Sequence, residues 1–302
     1  MAHEHHHHYH SHTLTNLNRA FYVGIGLNFL FVIIEVIVGL YIHSLSILSD
    51  AGHNLADVAS LALSLLAYQL IKVKPNDKYT YGYRKTSILV ALFNAVVLLV
   101  SIGVIGYEAL HRLLKPEPLP GFTIAIVAGI GIVINTVTAL LFLRDKDKDI
   151  NVKSAYMHLL SDAMVSLALV VGGVIIYYTH WYWIDPVLGI VVAIVILIST
   201  WGLLRSSLRL SLDGVPESVD LHKIRSAILQ IQEVKDMHHI HVWGLSTTIN
   251  ALTAHIVVND DSNIKELEKL KKNIKHELEH LNIQHVTLEF EQLTAECEKE
   301  DF

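Results

Sequence analysis

Residues 46–70 read SILSDAGHNLADVASLALSLLAYQL. The stretch is apolar and exceeds the ~20 residues that a membrane-spanning helix needs, yet it carries His53 and Asp57 one helical turn apart. A second apolar stretch repeats the spacing in His158-Leu159-Leu160-Ser161-Asp162. Residues at i and i+4 share one face of a helix, so each stretch presents an imidazole and a carboxylate in the same direction. Two such pairs facing each other would supply two nitrogens and two oxygens, a tetrahedral set suited to Zn2+. A single buried His or Asp is well explained by a hydrogen bond to a neighbouring helix. A duplicated, ligand-competent pair points instead to an ion pathway, because ionisable side chains at membrane depth are costly.

The rest of the 302-residue chain fits that setting. Hydrophobic residues make up 52% and charged residues 17%, and mean hydropathy is +0.43. Six apolar segments, at 20–41, 46–70, 87–111, 121–143, 154–178 and 185–205, each approach or exceed spanning length. From about 213 onward the chain turns polar. Lys72, Lys74, Lys78, Arg84 and Lys85 lie between segments two and three, and Arg144, Lys146, Lys148 and Lys153 between four and five. The alternate loops carry only Arg112 and Lys115, so the positive-inside rule predicts both termini in the cytoplasm. Trp181, Tyr182 and Trp183 would then sit at the outer interface.

The tail predicts a small α+β domain. Helical spacing over Ser218 to Ile231, with Ser218 or Asp220 as N-cap, precedes strand-like alternation over His238–Leu245 and Ala251–Val258. An amphipathic helix follows from Ile264 to Leu281, then a strand from His285 to Phe290. An α-β-β-α-β order predicts a three-stranded sheet with two helices on one face. The expected organisation is an arm over 1–16, a six-helix membrane domain over 17–209, the cytoplasmic domain over 210–292 and a polar tail over 293–302.

Residues 1–12 hold seven histidines, interrupted by Glu4, Tyr9 and Ser11. An expression tag would read as an unbroken run, so a disordered, metal-collecting arm is the favoured reading of the two. No cleavable signal peptide is expected in this polar N-terminus. The single Cys297 excludes an intramolecular disulfide framework. A net charge of -6 with no basic patch beyond the loops gives nucleic-acid binding no support.

Several motifs together resemble the cation diffusion facilitator family, over about residues 14–292. They are Ser44 to Asp57 as its second-helix signature, Tyr81-Gly82-Tyr83-Arg84-Lys85, His158 to Ala163, Leu212-Asp213-Gly214-Val215-Pro216, and His238 to Trp243. The resemblance, nearest to the cobalt-zinc-cadmium resistance branch, implies a homodimer of six-helix protomers in the membrane lipid. It also implies ferredoxin-like, metallochaperone-like cytoplasmic domains and export of divalent cations by proton antiport, with a bacterial inner membrane as the expected location. By position it implies a transport site of His53, Asp57, His158 and Asp162, with His53 favouring zinc over cadmium. It further implies cytoplasmic ligands His238, His255 and Glu291, and a structural salt bridge between Lys85 and Asp213. His239, His241 and His285 are less well placed, since strand alternation sends neighbours to opposite faces. Some family members hold a second metal in the loop between helices two and three. Here Tyr79 and Tyr83 stand where histidines would be expected beside Asp77, so that loop site is expected to be absent or weak.

Glu35 and Asn28, seven residues apart in the first segment, are expected to hydrogen-bond neighbouring helices. An intramembrane zinc hydrolase would need an open coordination position and a base such as His-Glu-x-x-His, which the sequence lacks. A membrane metal sensor would need an output domain, and a channel would need weaker binding than four ligands provide.

Overall fold

The computed structural model describes residues 12–41, 45–114, 121–179, 181, 183–259 and 263–293; within these, some side chains, that of His53 among them, lie outside the described set. Six long helices come first: α1 His12–Tyr41, α2 Leu45–Leu70, α3 Thr86–Leu114, α4 Gly121–Phe142, α5 Ile150–Thr179 and α6 Ile184–Ser211. Then follow α7 Leu221–Leu229, β1 Val234–Gly244, β2 Asn250–Val258, α8 Ile264–His280 and β3 His285–Gln292. The chain divides into two compact units, Met1–Lys72 with Val90–Leu204, and Val73–Leu89 with Arg205–Phe302.

The first unit is inverted relative to a water-soluble bundle. Its outward residues include Phe29, Leu30, Ile33, Ile37 and Leu40 on α1 and Val96, Val100 and Val104 on α3. Its buried residues include Asn28, Glu35, Asn54, Asp57, Ser60, Ser64, Asn94, Thr138, Ser154 and His158. Apolar outside and polar inside is the arrangement that hydrocarbon imposes, because helices satisfy their own backbone and leave polar side chains to face one another. Among the described residues, α1, α3, α4, α5 and α6 are each long and apolar enough to cross a membrane; α2 supplies a shorter apolar stretch, Asp57–Leu70.

Within this unit α1 packs on α2 and α4, α4 on α5, and α2 on α5. The α1–α4 contact is close: a Cβ at Gly24 would come within 2.8 Å of the Thr138 methyl, and one at Gly131 within 3.0 Å of the Phe31 ring. Small residues at such crossings let two backbones approach. A core of Phe21, Leu61, Leu65, Phe142, Val152 and Leu159 fixes α1, α2, α4 and α5 around the α2–α5 contact.

In the second unit β2 is the central strand, antiparallel to β1 and parallel to β3. Leu252, Ala254, Ile256 and Val258 point into a core with Ile224 and Ile228 of α7 and Leu270, Ile274 and Leu278 of α8. Alternation leaves Thr253, His255 and Val257, only partly buried, on the other face. Asp220 caps α7, accepting from the backbone amides of His222 at 2.9 Å and Lys223 at 3.2 Å. Asn263 and Glu266 form a reciprocal capping box at the start of α8. The helix therefore begins at Leu221, three residues after the earlier of the two expected caps, and β1 begins at Val234, before the expected His238.

The segment Val73–Leu89 belongs to this second unit through three contacts. Lys85 pairs with Asp213, the Thr247 amide donates to Ser87 Oγ at 3.2 Å, and Tyr81 meets the His285 ring edge-on at 5.4 Å. Asp213 has a left-handed backbone (φ 56°), and the next residue must be small: a Cβ at Gly214 would lie 3.0 Å from the Arg209 carbonyl oxygen. Replacing Ile274 by Ala opens a cavity in the sheet–helix core and is expected to cost about 2–5 kcal/mol. Hydrogen exchange of the full chain should show lost amide protection in β2; unchanged protection would contradict this core assignment.

Candidate metal centres

Asp57 projects from α2 and His158 from α5 at the point where these helices meet, and both are buried. His158 Nε2 is hydrogen-bonded to Asp57 Oδ1 and lies 3.8 Å from Asp162 Oδ2, one turn along α5. A nitrogen and two carboxylate oxygens thus lie within 4.8 Å of one another between α2 and α5. Backbone position places His53 one turn before Asp57 on α2; its side chain lies outside the described residues. Three of the four residues expected at the transport site are therefore brought together.

Two polar groupings flank this centre that periodicity alone does not pair. The Asn54 amide donates to both carboxylate oxygens of Glu35, at 3.0 and 2.9 Å, tying α2 to α1 beside the ligand face. Asn28 turns elsewhere, donating to the Gly24 carbonyl at 2.9 Å and to Thr138 Oγ1 of α4 at 3.4 Å. On the side nearer the α2–α3 loop, Asn94 of α3 donates to Ser64 Oγ at 2.7 Å, and Ser64 donates to the Ser60 carbonyl at 3.0 Å. Ser60, Ser64, Asn94 and Ser154 line a small cavity that reaches His158. The sequence signal for this file was present as Ser60 and Ser64, an i, i+4 polar pair continuing the face of Asp57.

The second centre lies on the sheet face that the helices leave uncovered. His238 of β1 pairs directly with His255 of β2, while Glu289 and Glu291 of β3 stand on the same face two residues apart. His255 Nδ1 is hydrogen-bonded to Glu291 Oε1, and His238 Nε2 lies 3.2 Å from Glu291 Oε2. His255 Nε2 is also 3.5 Å from Glu289 Oε2. The ligand atoms of His238, His255 and Glu291 fall within 4.8 Å of one another.

Strict alternation does not hold at His239. The β1–β2 register slips between His238 and His241, and His239 takes a left-handed backbone (φ 48°). An irregularity of this kind re-aims a side chain. The His239 ring consequently lies 5.3 Å from that of His238 and 5.0 Å from that of His255, centroid to centroid. His241 is exposed, and His285 packs on Tyr81. In the α2–α3 loop Asp77 is exposed, and the rings of Tyr79 and Tyr83 lie 4.9 Å apart. The Lys85–Asp213 pair is about half exposed on both sides, where such pairs contribute roughly 0–1 kcal/mol.

Residues 21–210 match the cation efflux transmembrane domain, and residues 216–293 match the cytoplasmic domain of cation efflux proteins. The chain belongs to the cation efflux family, the cation diffusion facilitators. It is similar to the metal cation efflux system protein CzcD of Cupriavidus metallidurans, at 36% identity over 94% of this chain and 89% of the relative. The cadmium, cobalt and zinc/H(+)-K(+) antiporter of Bacillus subtilis is 35% identical over 86% of this chain and 85% of its own length. The zinc transporter ZitB of Escherichia coli is 33% identical over 96% and 93%. Membership makes this chain a multi-pass membrane transporter of cations and not an enzyme.

Asn54→Leu would remove the two contacts that the Asn54 amide makes to the buried Glu35 carboxylate. A hydrogen bond to a charged group contributes about 1.5–3 kcal/mol. The thermal midpoint in detergent should fall. No fall in the single variant would contradict a clamping role.

Proposed function

We propose that the chain exports Zn2+ from the cytoplasm in exchange for protons, by exposing a tetrahedral site of His53, Asp57, His158 and Asp162 alternately to the two sides of the membrane. The observation that carries this reading is the meeting of Asp57, His158 and Asp162 inside a helix bundle with an apolar exterior. With Zn2+ bound, two carboxylates balance the ion, and neutral imidazoles complete a nearly neutral, dry site. With metal gone, the same carboxylates and imidazoles attract protons, and protons must leave again before metal binds. Metal and proton therefore compete for one set of lone pairs, which is the elementary requirement for exchange.

Nitrogen and oxygen donors in a tetrahedral set suit zinc and cobalt better than magnesium or calcium. The names of the relatives, which include zinc, cobalt and cadmium, and in one case H(+), support this substrate class. The polar file of Ser60, Ser64, Asn94 and Ser154 offers oxygens to a partly dehydrated ion approaching from the α2–α3 loop side. The distribution of Lys and Arg supports cytoplasmic termini, and the bacterial sources of the relatives support a bacterial inner membrane. We further infer that the protein acts as a homodimer, as the match to the cytoplasmic domain of the family supports, with domains bounded at 17–209 and 210–292. In that domain His238, His255 and Glu291 would hold a regulatory zinc, and Lys85–Asp213 would serve as a structural salt bridge.

Proteoliposomes with an acidic lumen and zinc outside provide the test. Zinc should accumulate while the lumen alkalinises, and collapsing the gradient beforehand with a protonophore should abolish the accumulation. Asp57→Asn and His158→Ala should reduce uptake to that of empty liposomes. Uptake indifferent to the pH gradient would overturn the antiport reading, and full activity in either variant would overturn the site.

A further inference from the structure

The last turn of α8 carries a second kind of imidazole cluster, apart from the strand histidines. His276 and His280 stand at i and i+4, two positions off the buried stripe of Leu270, Ile274 and Leu278, and both are exposed. Their Nε2 atoms converge to 3.3 Å, with ring centroids 4.6 Å apart and the rings crossed at 73°. Two imidazole nitrogens bound at ~2.0–2.1 Å to one tetrahedral zinc stand ~3.3–3.4 Å apart. The spacing of the free nitrogens is thus the bite that such an ion requires.

We propose that His276 and His280 form a bidentate surface site for a borderline divalent cation of the Zn2+, Co2+, Ni2+ or Cu2+ class, with water completing its coordination. Imidazole selects this class over Mg2+ and Ca2+, which take oxygen ligands. The site is separate from the strand centre: the buried stripe of α8 packs on the Leu252–Ile256 side of the sheet, whereas His255 points to the opposite side. It is also preorganised. The capping box starts the helix, the buried stripe anchors it, and its last turn closes through the Leu281 amide on the Glu279 and Leu278 carbonyls. Two rings held at the required separation lose little freedom when an ion joins them. With only two protein ligands the ion remains exposed to water and exchanges readily, unlike one held by a three-residue set.

The alternative reading of the same contact is an N–H···N hydrogen bond between the two rings. Water competes with a bond of that kind on an exposed surface, and metal would not affect it specifically. Residue-resolved carbethoxylation of the full-length protein in detergent separates the two readings. Zinc chloride should slow modification of His276 and His280 several-fold, magnesium chloride should not, and the exposed His222 on α7, which has no ring partner among the described residues, serves as the control. His280→Gln should abolish zinc protection of His276, and His276→Gln that of His280. Both positions are exposed, so neither change threatens the fold. Equal modification with and without zinc, or protection of His276 that survives His280→Gln, would overturn the proposal.

Discussion

Asp57 and His158 face each other in the interior of a helix bundle whose outside is Leu, Ile, Val and Phe. Placing an ionised Asp at the centre of a membrane helix costs about 2.5–3.5 kcal/mol on insertion scales, so such groups persist only where they have partners or a task. Glu35, Asp57 and His158 are all buried, and each is answered by another polar side chain from a neighbouring helix. That pairing dictates which faces of α1, α2 and α5 turn inward. Once those faces are fixed, the small residues at the α1–α4 crossing and the aromatic contact of Phe21 with Phe142 close the bundle around them.

The second unit solves a different problem with the same residue types. A three-stranded sheet needs one apolar face against its helices, and β2 supplies it with Leu252, Ala254, Ile256 and Val258. Strand alternation then delivers His255 to the open face, next to His238 and between the carboxylates of β3. The first centre is dry and helical, whereas the second is half-exposed and built on a sheet edge-to-edge register.

Much of this was legible in the sequence because two periods are strong. Apolar stretches of spanning length gave the six helices, although α1 starts eight residues before the expected 20 and α6 runs six residues past the expected 205, and His53/Asp57 and His158/Asp162 announced themselves by i, i+4 spacing. Period-two alternation located β2 and β3, and the amphipathic stripe located α8. What could not be read were contacts between residues far apart in the chain. Glu35 with Asn54, and Asn94 with Ser64, depend on which helices are neighbours, which no local period encodes. His239 was discounted because alternation was assumed, and the irregularity in β1 that redirects it has no glycine or proline to signal it. The His276–His280 contact was visible as a spacing but gained meaning only from the measured separation of its nitrogens.

The central claim is that one zinc ion binds between α2 and α5 through two imidazoles and two carboxylates. Zinc X-ray absorption decides it most directly, on protein lacking residues 1–12 and carrying His238→Ala, His255→Ala and His276→Gln, so that the membrane site dominates the signal. The account predicts four nitrogen or oxygen ligands at ~2.0–2.1 Å with imidazole scattering from two rings, and loss of this signal in Asp57→Asn. A six-oxygen shell without imidazole, or an unchanged spectrum in Asp57→Asn, would contradict it.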